Sequence, residues 1–578
     1  MNLDSAVHRR RHVTHRILIG IAALGLLARP APAASQYWDT SATATFQGGD
    51  GAWNTNWADA GGTVLSPWID GSAAQFPAND GTPSTITLTN SVSAASLTFD
   101  GSPYTLAVMG GGALPSTAGN LSMWSCLSNR VVVSQAGQVR ITGGGIVYVG
   151  SGIGSGFDGN QILVTDAGSI FSAQSLYVGT EGIGLNRDFN NNNSLIVSNG
   201  AFVAANYVRV GDAGTGNFVV VTGSGSVLSN LYTQIGYGSG TNNNLTIADG
   251  GVAISRNSGQ VLGNSSRALV TGPGSTWSSL LGYSTPFTVG YGACFGSLVI
   301  SNGGRVRVGA IEDGSWESFG IIGATASARS NTVTVTGAGS VWSNDATLVV
   351  GAAGAYNTLT IADSGAAWVG WMTKIGNDAG SSNNLLVVTD PGSVLLTGAG
   401  WDGYSLFFIG DAADSCGNRL VVSSGGVARC SGAFTIGVAA GANGNSVLVT
   451  GPGSLWSNGA AVTVGSGTNY FNGLTVADGG TATCPYASIG SAASSTGNYV
   501  TVTGTNSLWR LTFGPVPLPV YGGNSVNVAD GGTVAVTSEP ERGSCFSVWL
   551  PLRTAAPAQA APRGAVLPLV QRGPGKPL

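Results

Sequence analysis

The decapeptide VTGAGSVWSN, at Val335–Asn344, returns almost unchanged as VTGPGSLWSN at Val449–Asn458, and this anchor phrase decides the fold. Variants of it occur seven times, with the serine at Ser169, Ser226, Ser275, Ser340, Ser393, Ser454 and Ser507. Successive serines are 57, 49, 65, 53, 61 and 53 residues apart. Self-similarity at such a period is typical of a repeat protein whose units stack on one another.

A second phrase, N-x-L-x-V-x-x-G-G and close variants of it, lies between copies of the anchor phrase. It begins at Asn129, Asn193, Asn357, Asn418, Asn472 and Asn524. The two phrases divide each repeat of about 57 residues into two related halves. A half of roughly 25 to 30 residues has the length of a single solenoid coil. We therefore predict tandem double-coil repeats.

Apolar and polar residues alternate within both phrases, as in TLTIADSG, where Leu359 and Ile361 are separated by a threonine. Strict alternation ending in Gly, Asn or Asp predicts a half-buried strand followed by a turn. A further short strand ends in glycine, as YVG at Gly179, QIG at Gly236 and KIG at Gly376. No segment has convincing helical periodicity. The sequence predicts an all-β chain that forms a parallel β-helix with three short strands per coil.

The constant residues of the phrases have structural roles in such a coil. Glycine supplies the left-handed backbone angles of corners, and asparagines at the strand starts predict a hydrogen-bonded ladder along the stack. The large residue of each anchor phrase is expected to point into the core: Phe171, Leu228, Trp277, Trp342, Leu395, Trp456 and Trp509.

Residues 1–33 have the layout of a secretory signal peptide. Arginines are followed by the apolar run Ile17–Leu27 and by the small-residue site Ala31-Pro32-Ala33, which predicts cleavage near Ala33. An uncleaved anchor is the alternative, but the apolar run is short for a membrane-spanning helix. No later stretch is long and apolar enough to span a membrane. The prediction is export, with the mature chain secreted or at the outer cell surface.

Residues 34–115 lack both phrases and contain Trp38, Trp53, Trp57 and Trp68. These tryptophans could form an aromatic platform for sugars, or they could cover the open end of the solenoid, which needs an atypical terminal unit. We favour a β cap. The predicted organisation is therefore a signal peptide (1–33), this cap (34–115), the repeat β-helix (116–536) and an off-pattern, disordered tail (537–578).

Composition excludes several functional classes. All three histidines lie within residues 1–33, so the mature chain lacks the commonest general base and metal ligand. The whole chain carries −4, residues 1–33 carry +4 and the tail from Ser538 carries +3, which leaves −11 for residues 34–537. Such a charge repels nucleic acid. We predict no cofactor and no metal, and we interpret Cys430 and Cys484 as buried thiols, two coils apart and beyond disulfide reach.

An enzymatic alternative depends on carboxylates, because glycosidases need two of them within about 5 to 10 Å. Asp249, Asp363, Asp478 and Asp530 recur at the turn of the repeat and are explained by the fold. The off-pattern carboxylates are Glu312, Asp313 and Glu317 in IEDGSWES and Asp402 in GAGWDGYS, within the two longest repeat intervals. If the protein is a polysaccharide-degrading lyase or glycoside hydrolase, these four residues are the catalytic candidates.

The paired phrases resemble the repeat family found in passengers of bacterial autotransporters (type V secretion) and in exported proteins with PEP-type sorting tails. The opening YWDTS…WNTNW…WIDGSAAQF is similar to the start of proteins with autotransporter-associated β-strand repeats. The resemblance implies a secreted or outer-membrane-associated surface β-helix of adhesin type, without assigned catalytic residues. Its partners are then extracellular glycans or other surface components.

The end of the sequence departs from that family. It shows neither a membrane barrel nor a Pro-Glu-Pro sorting tail, and ERGSCFSVWLPL, from Glu541, resembles the last glycine box and strand of a histidine-kinase ATP-binding domain. We interpret this piece as a gene remnant without kinase activity. The favoured function is a non-catalytic structural or adhesive scaffold.

Overall fold

The computed structural model describes residues 34–536, apart from residue 44 and the segments 79–82, 101–102, 117–118, 125–126, 152–157, 181–189, 282–284, 311–318, 399–404, 492–493 and 513–517. The proposed signal peptide, the kinase-like piece and the carboxylates Glu312, Asp313, Glu317 and Asp402 lie outside the described residues.

Each coil begins with a strand of the first sheet, which pairs in parallel with the equivalent strands of the neighbouring coils. Alternation sets its two faces: in Thr358–Ala362, Leu359 and Ile361 are fully buried and their neighbours face outward. The first sheet comprises Gly51–Ala52, Ser84–Leu88, Tyr104–Val108, Arg130–Val133, Gln161–Thr165, Ser194–Ser198, Phe218–Thr222, Asn244–Ala248, Arg267–Thr271, Ser297–Ser301, Thr332–Thr336, Thr358–Ala362, Leu385–Thr389, Arg419–Ser423, Ser446–Thr450, Gly473–Ala477, Tyr499–Thr503 and Ser525–Ala529.

The second sheet follows the glycine corner of either phrase. Its parallel strands are Ala113–Ser116, Gln138–Ile141, Ile170–Ser172, Phe202–Ala204, Thr276–Leu281, Arg305–Ala310, Val341–Asn344, Ala366–Val369, Val394–Thr397, Val427–Cys430, Leu455–Asn458, Thr481–Cys484, Leu508–Leu511 and Thr533–Val536. Two long strands, Val227–Ile235 and Val252–Val261, run from the second sheet into the third.

The third sheet completes each coil and includes the strands that end in glycine. Its strands are Ser35–Trp38, Trp57–Ala58, Leu65–Ser66, Ala73–Phe76, Ser96–Asp100, Leu121–Trp124, Ile146–Ser151, Ser175–Val178, Tyr207–Val210, Phe287–Val289, Phe319–Ile322, Thr347–Val350, Met372–Ile375, Leu406–Ile409, Ala433–Ile436, Val462–Val464 and Ala487–Ile489. All pair in parallel except at the start, where Trp57–Ala58 is antiparallel to both Ser35–Trp38 and Leu65–Ser66.

The predicted fold class is confirmed: the described residues are all-β without a helix and form a parallel β-solenoid of about 15 turns. The core runs the length of the stack because each coil buries alternate side chains of its three strands. All seven large residues of the anchor phrases are buried within it. Trp456, for example, packs edge-on against Phe434, with ring centroids 4.9 Å apart.

The predicted asparagine ladder is also present. Within the stack, Asn357 donates from its backbone N–H and from Nδ2 to Oδ1 of Asn384, at 2.9 and 3.0 Å, and Asn384 does the same to Asn418. The ladder position directly precedes each first-sheet strand from Arg130–Val133 onward, in the coils of both phrases. Ser266 and Gly296 occupy it in two coils, where the side-chain ladder is interrupted. Elsewhere the ladder satisfies buried backbone donors that would otherwise lack partners.

The anchor serine connects each coil that carries the anchor phrase to the coil before it. Ser454 Oγ accepts a hydrogen bond from the Gly425 N–H at 3.0 Å and donates to the Thr450 carbonyl at 2.7 Å. Ser226 and Ser507 make the same two bonds. Because the donors belong to the corner of the preceding coil, the serine fixes the register between coils, which explains why the anchor phrase keeps it.

The N-terminal tryptophans form one cluster at the start of the stack. Trp38, Trp53 and Trp57 are almost fully buried, and Trp68 packs partly buried against Trp53 and Trp57 at 5.1 and 4.6 Å. Phe76 extends the cluster into the first parallel coils, where it stacks on Phe99 at 4.4 Å. Parallel pairing thus begins with Ser35–Trp38 against Ala73–Phe76, well before the first repeat phrase.

Candidate functional site

A strip of tyrosines and one arginine lies on the outer face of the third sheet in its early coils. We name it the tyrosine–arginine strip; its members are Tyr148, Tyr177, Tyr207, Arg209, Tyr232 and Tyr237. All six side chains are half-buried or exposed.

Strand register places these residues together. Tyr148 pairs with Tyr177, and Tyr177 pairs with Arg209 in the next coil. In a neighbouring column, Tyr207 pairs with Tyr232. Tyr237 enters the strip from the corner that follows the third sheet, just after Gly236, whose φ is 70°. Parallel in-register pairing therefore turns one strand position into a continuous row along the rod.

Ring contacts hold the strip together. The Tyr207 and Tyr232 rings are stacked at 5.0 Å, and the Tyr148 and Tyr177 rings are 5.7 Å apart. The guanidinium carbon of Arg209 lies 5.5 Å from the Tyr177 ring centroid and 4.1 Å from that of Tyr237. Such cation–π contacts fix an arginine without removing it from solvent.

Two hydrogen-bonding groups extend the strip. Arg209 Nε donates to Gln234 Oε1 at 2.9 Å, and Gln234 Nε2 donates to Gln260 Oε1 at 3.0 Å. Asp212 accompanies the arginine at 3.9 Å, which offsets its charge. Partial burial, and secondarily the neighbouring Tyr177, raise the pKa of the Tyr148 hydroxyl above its usual value. The strip is therefore nearly neutral and rich in donors.

The chemistry available to this surface is binding. Tyrosine rings offer flat apolar faces with a polar tip, and the guanidinium and amide groups offer fixed donors. The six residues of the strip include no carboxyl group. The strip by itself therefore lacks the pair of carboxyl groups that most glycoside hydrolases use.

The structure describes none of the four catalytic candidates named from the sequence, so their catalytic role in an enzyme stays a prediction. The turn aspartates are described: Asp249 and Asp363 accept hydrogen bonds from Thr222 and Thr336 of the preceding coil, at 2.9 and 2.8 Å. These bonds agree with a structural role.

The thiols predicted to be buried are indeed so. Cys430 and Cys484 are free, buried and separated by the strand Leu455–Asn458. Burial raises the pKa of both thiols, that of Cys484 to about 11.

The described residues also bear on other classes of site. They bring no three His, Cys, Asp or Glu side chains together in a group that could hold a metal ion. They also include no helix long and apolar enough to cross a membrane.

Sequence reasoning missed the strip, although a signal for it existed. The residue two positions before the strand-ending glycine faces outward, and it is Tyr177 before Gly179 and Arg209 before Gly211. Aligning that position over successive coils would have revealed the row.

Fold and surface together define a class: a long parallel β-helix that carries an aromatic and cationic strip on one outer face. Comparison with known proteins adds one relative and one structure. The chain has weak homology to the Adhesin BmaC autotransporter of Brucella suis biovar 1 (strain 1330), with 29% identity over 175 residues. The aligned part is 26% of this chain and 5% of the adhesin.

Among solved structures, the crystal structure of a hyper-glycosylated TibA fragment, glycosylated by TibC, aligns with 80% of this chain and 100% of the fragment. The identity is 12% and the TM-score is 0.23. No protein-family model matches the chain.

Proposed function

We propose that the protein is a cell-surface, adhesin-like passenger that binds extracellular glycans through the tyrosine–arginine strip and catalyses no reaction. Homology to an autotransporter adhesin supports the surface location and the adhesive role. Export directed by residues 1–33, with cleavage near Ala33, and an inactive tail at 537–578 belong to the same proposal.

The observation that carries the proposal is the placement of Arg209 between the rings of Tyr177 and Tyr237. The side chain is about one quarter exposed, so the guanidinium is both held in place and accessible. A sugar ring can stack on the tyrosines while its hydroxyl groups accept from Arg209. Binding sites of this kind combine apolar faces with a few fixed polar groups.

Purified full-length protein applied to a glycan array tests the proposal. Wild type should bind a defined set of glycans without releasing reducing ends. The double variant Arg209→Ala, Tyr237→Ala should bind the same glycans at least tenfold more weakly, because it removes the 4.1 Å contact and the fixed donors. Tyr486→Ala, which changes an exposed tyrosine in a distant coil, is the matched control.

Several outcomes would reject the proposal. The proposal is rejected if the wild-type protein binds no glycan. It is also rejected if the double variant binds glycans as strongly as wild type. Release of reducing ends from pectin or alginate would show instead that the protein is a polysaccharide-degrading enzyme.

A further inference from the structure

The residue type at one corner position distinguishes three coils from the others. In each of the fifteen coils from Arg130–Val133 to Ser525–Ala529, the residue before the ladder position has a positive φ. Twelve coils use Gly, Asn or Ser there: Ser128, Gly159, Asn192, Gly216, Asn242, Ser265, Ser330, Asn383, Gly417, Gly444, Gly497 and Gly523. The other three use an aromatic residue. We name these three, Phe295, Tyr356 and Phe471, the corner row.

The fold imposes this conformation. The N–H of the corner residue donates to a carbonyl of the next coil: Phe295 to Arg329 at 3.2 Å, Tyr356 to Ser382 at 3.0 Å and Phe471 to Thr496 at 3.4 Å. Asn383 makes the equivalent bond to Cys416 at 2.9 Å. Glycine and asparagine accept positive φ readily, whereas a bulky side chain there is strained. The hydrogen bond at this corner therefore requires a positive φ but does not require an aromatic side chain.

The aromatic rings of the corner row do not serve the core. Phe295, Tyr356 and Phe471 are 65%, 51% and 68% exposed. Strained residues that contribute little to packing are concentrated at sites of function. Exposure and strain are two separate observations, and both point to a ligand.

The spacing indicates what kind of ligand. Strand register places Tyr356 two coils beyond Phe295 and Phe471 four coils beyond Tyr356. At the strand spacing of sheets, these separations are about 10 and 19 Å. The three rings are thus separated from one another, with the polar Ser330 between the first two, and do not join into one continuous apolar patch of the kind that marks a protein interface. The exposed Tyr470 lies beside Phe471, with ring centroids 6.5 Å apart.

We propose that the corner row is a second binding site, a track for a neutral, linear, extended polysaccharide lying parallel to the rod axis. In an extended β-1,4-linked chain every second sugar ring presents the same face, at a spacing close to two coil heights. The guanidinium of Arg329, 5.2 Å from the Tyr356 ring, adds a donor beside the track. The charge of −11 over residues 34–537 disfavours an acidic polymer. This inference rests on the proposed function only in that the ligand is again a glycan.

The test uses Phe295→Asn, Tyr356→Asn and Phe471→Asn together in the full chain, because Asn already occupies the equivalent corner in three coils. Cello-oligosaccharides of increasing length are the probes, with polygalacturonate for comparison. For wild type, affinity should rise steeply once an oligosaccharide spans both Phe295 and Tyr356. The triple variant should lose that rise, at least tenfold for the longest probe, while its thermal midpoint increases by a few degrees.

Tyr486→Asn and Tyr521→Asn, at exposed tyrosines outside the row, are the controls and should change neither readout. A triple variant that keeps the length dependence, or a wild type that binds polygalacturonate as well as the neutral chains, would overturn the inference. So would a triple variant with a lower thermal midpoint, because the rings would then be structural. The strip variant Arg209→Ala, Tyr237→Ala separates the two proposals. If this variant binds the glycan array like wild type, the proposal for the strip is rejected and the proposal for the corner row still stands.

Discussion

At the scale of single residues, the constant polar residues of the repeat are those that give buried hydrogen-bond donors and acceptors a partner. Asn418 illustrates this: it is fully buried, accepts two hydrogen bonds from Asn384 and donates to Ser381, Ser415 and Asn445. An apolar residue of similar size would fill the space and leave those groups without partners. Asparagine is retained because one side chain serves the coils on both sides.

Asn418→Ala should therefore lower the free energy of unfolding by about 3 kcal/mol, because buried donors and acceptors lose their partners. Denaturant unfolding followed by circular dichroism measures this. Asn527→Ala is the control: Asn527 is an exposed asparagine on an outer strand face, and its loss should cost less than about 0.5 kcal/mol. Equal effects of the two substitutions would mean that the ladder contributes no stability of its own.

At the scale of strands and corners, the two glycines of the second phrase are required for two different reasons. In the corner after Arg419–Ser423, Gly425 has a φ of 90°, which favours glycine by its backbone angle. Gly426 has an ordinary angle, but a Cβ there would lie 2.4 Å from the Val388 carbonyl oxygen of the preceding coil. The second glycine is therefore needed because two coils approach closely.

Gly426→Ala should destabilise the fold by about 2 kcal/mol, since backbone atoms of the preceding coil would have to move to admit the methyl group. Thermal unfolding of the two purified proteins gives the comparison. Gly61→Ala serves as its control, because a Cβ at that exposed glycine would meet nothing closer than 3.7 Å. If Gly426→Ala proved as stable as wild type, close approach would not be the reason for the second glycine.

At the scale of strands and corners, the sequence predicts the features that repeat within one phrase but not those that depend on contacts between coils. Strands, glycine corners, the asparagine ladder and the inward Trp342 and Trp456 followed from alternation and repetition within one phrase. The surface rows did not, because they depend on register between coils of unequal length. First-sheet strands start 24 residues apart at Ser194 and Phe218, but 35 apart at Ser297 and Thr332. Residues such as Tyr177 and Arg209 therefore become neighbours only when every coil has been counted.

At the scale of the whole molecule, stability is distributed along the stack, since each coil contacts mainly its two neighbours. The fifteen coils from Arg130–Val133 to Ser525–Ala529, at the strand spacing, form a rod of roughly 70 Å. Both proposed sites follow from this geometry, because a parallel stack converts a residue type at one position into an axial row. In a rod of this kind, no single group of core residues holds the whole fold together.

Removal of two complete coils should therefore leave the fold intact. Deleting residues 445–497 joins Gly444 to Asn498, so a second-phrase coil is again followed by an anchor-phrase coil and the ladder continues from Asn418 to Asn498. We expect an unchanged circular dichroism spectrum per residue, one cooperative unfolding transition and a maximum dimension about 10 Å shorter in small-angle X-ray scattering. Deletion of 445–484, which joins Gly444 to Pro485 out of register, should leave everything after the junction sensitive to protease. Equal protease sensitivity of the two variants would contradict independent stacking, because only the in-register junction preserves the pairing between coils.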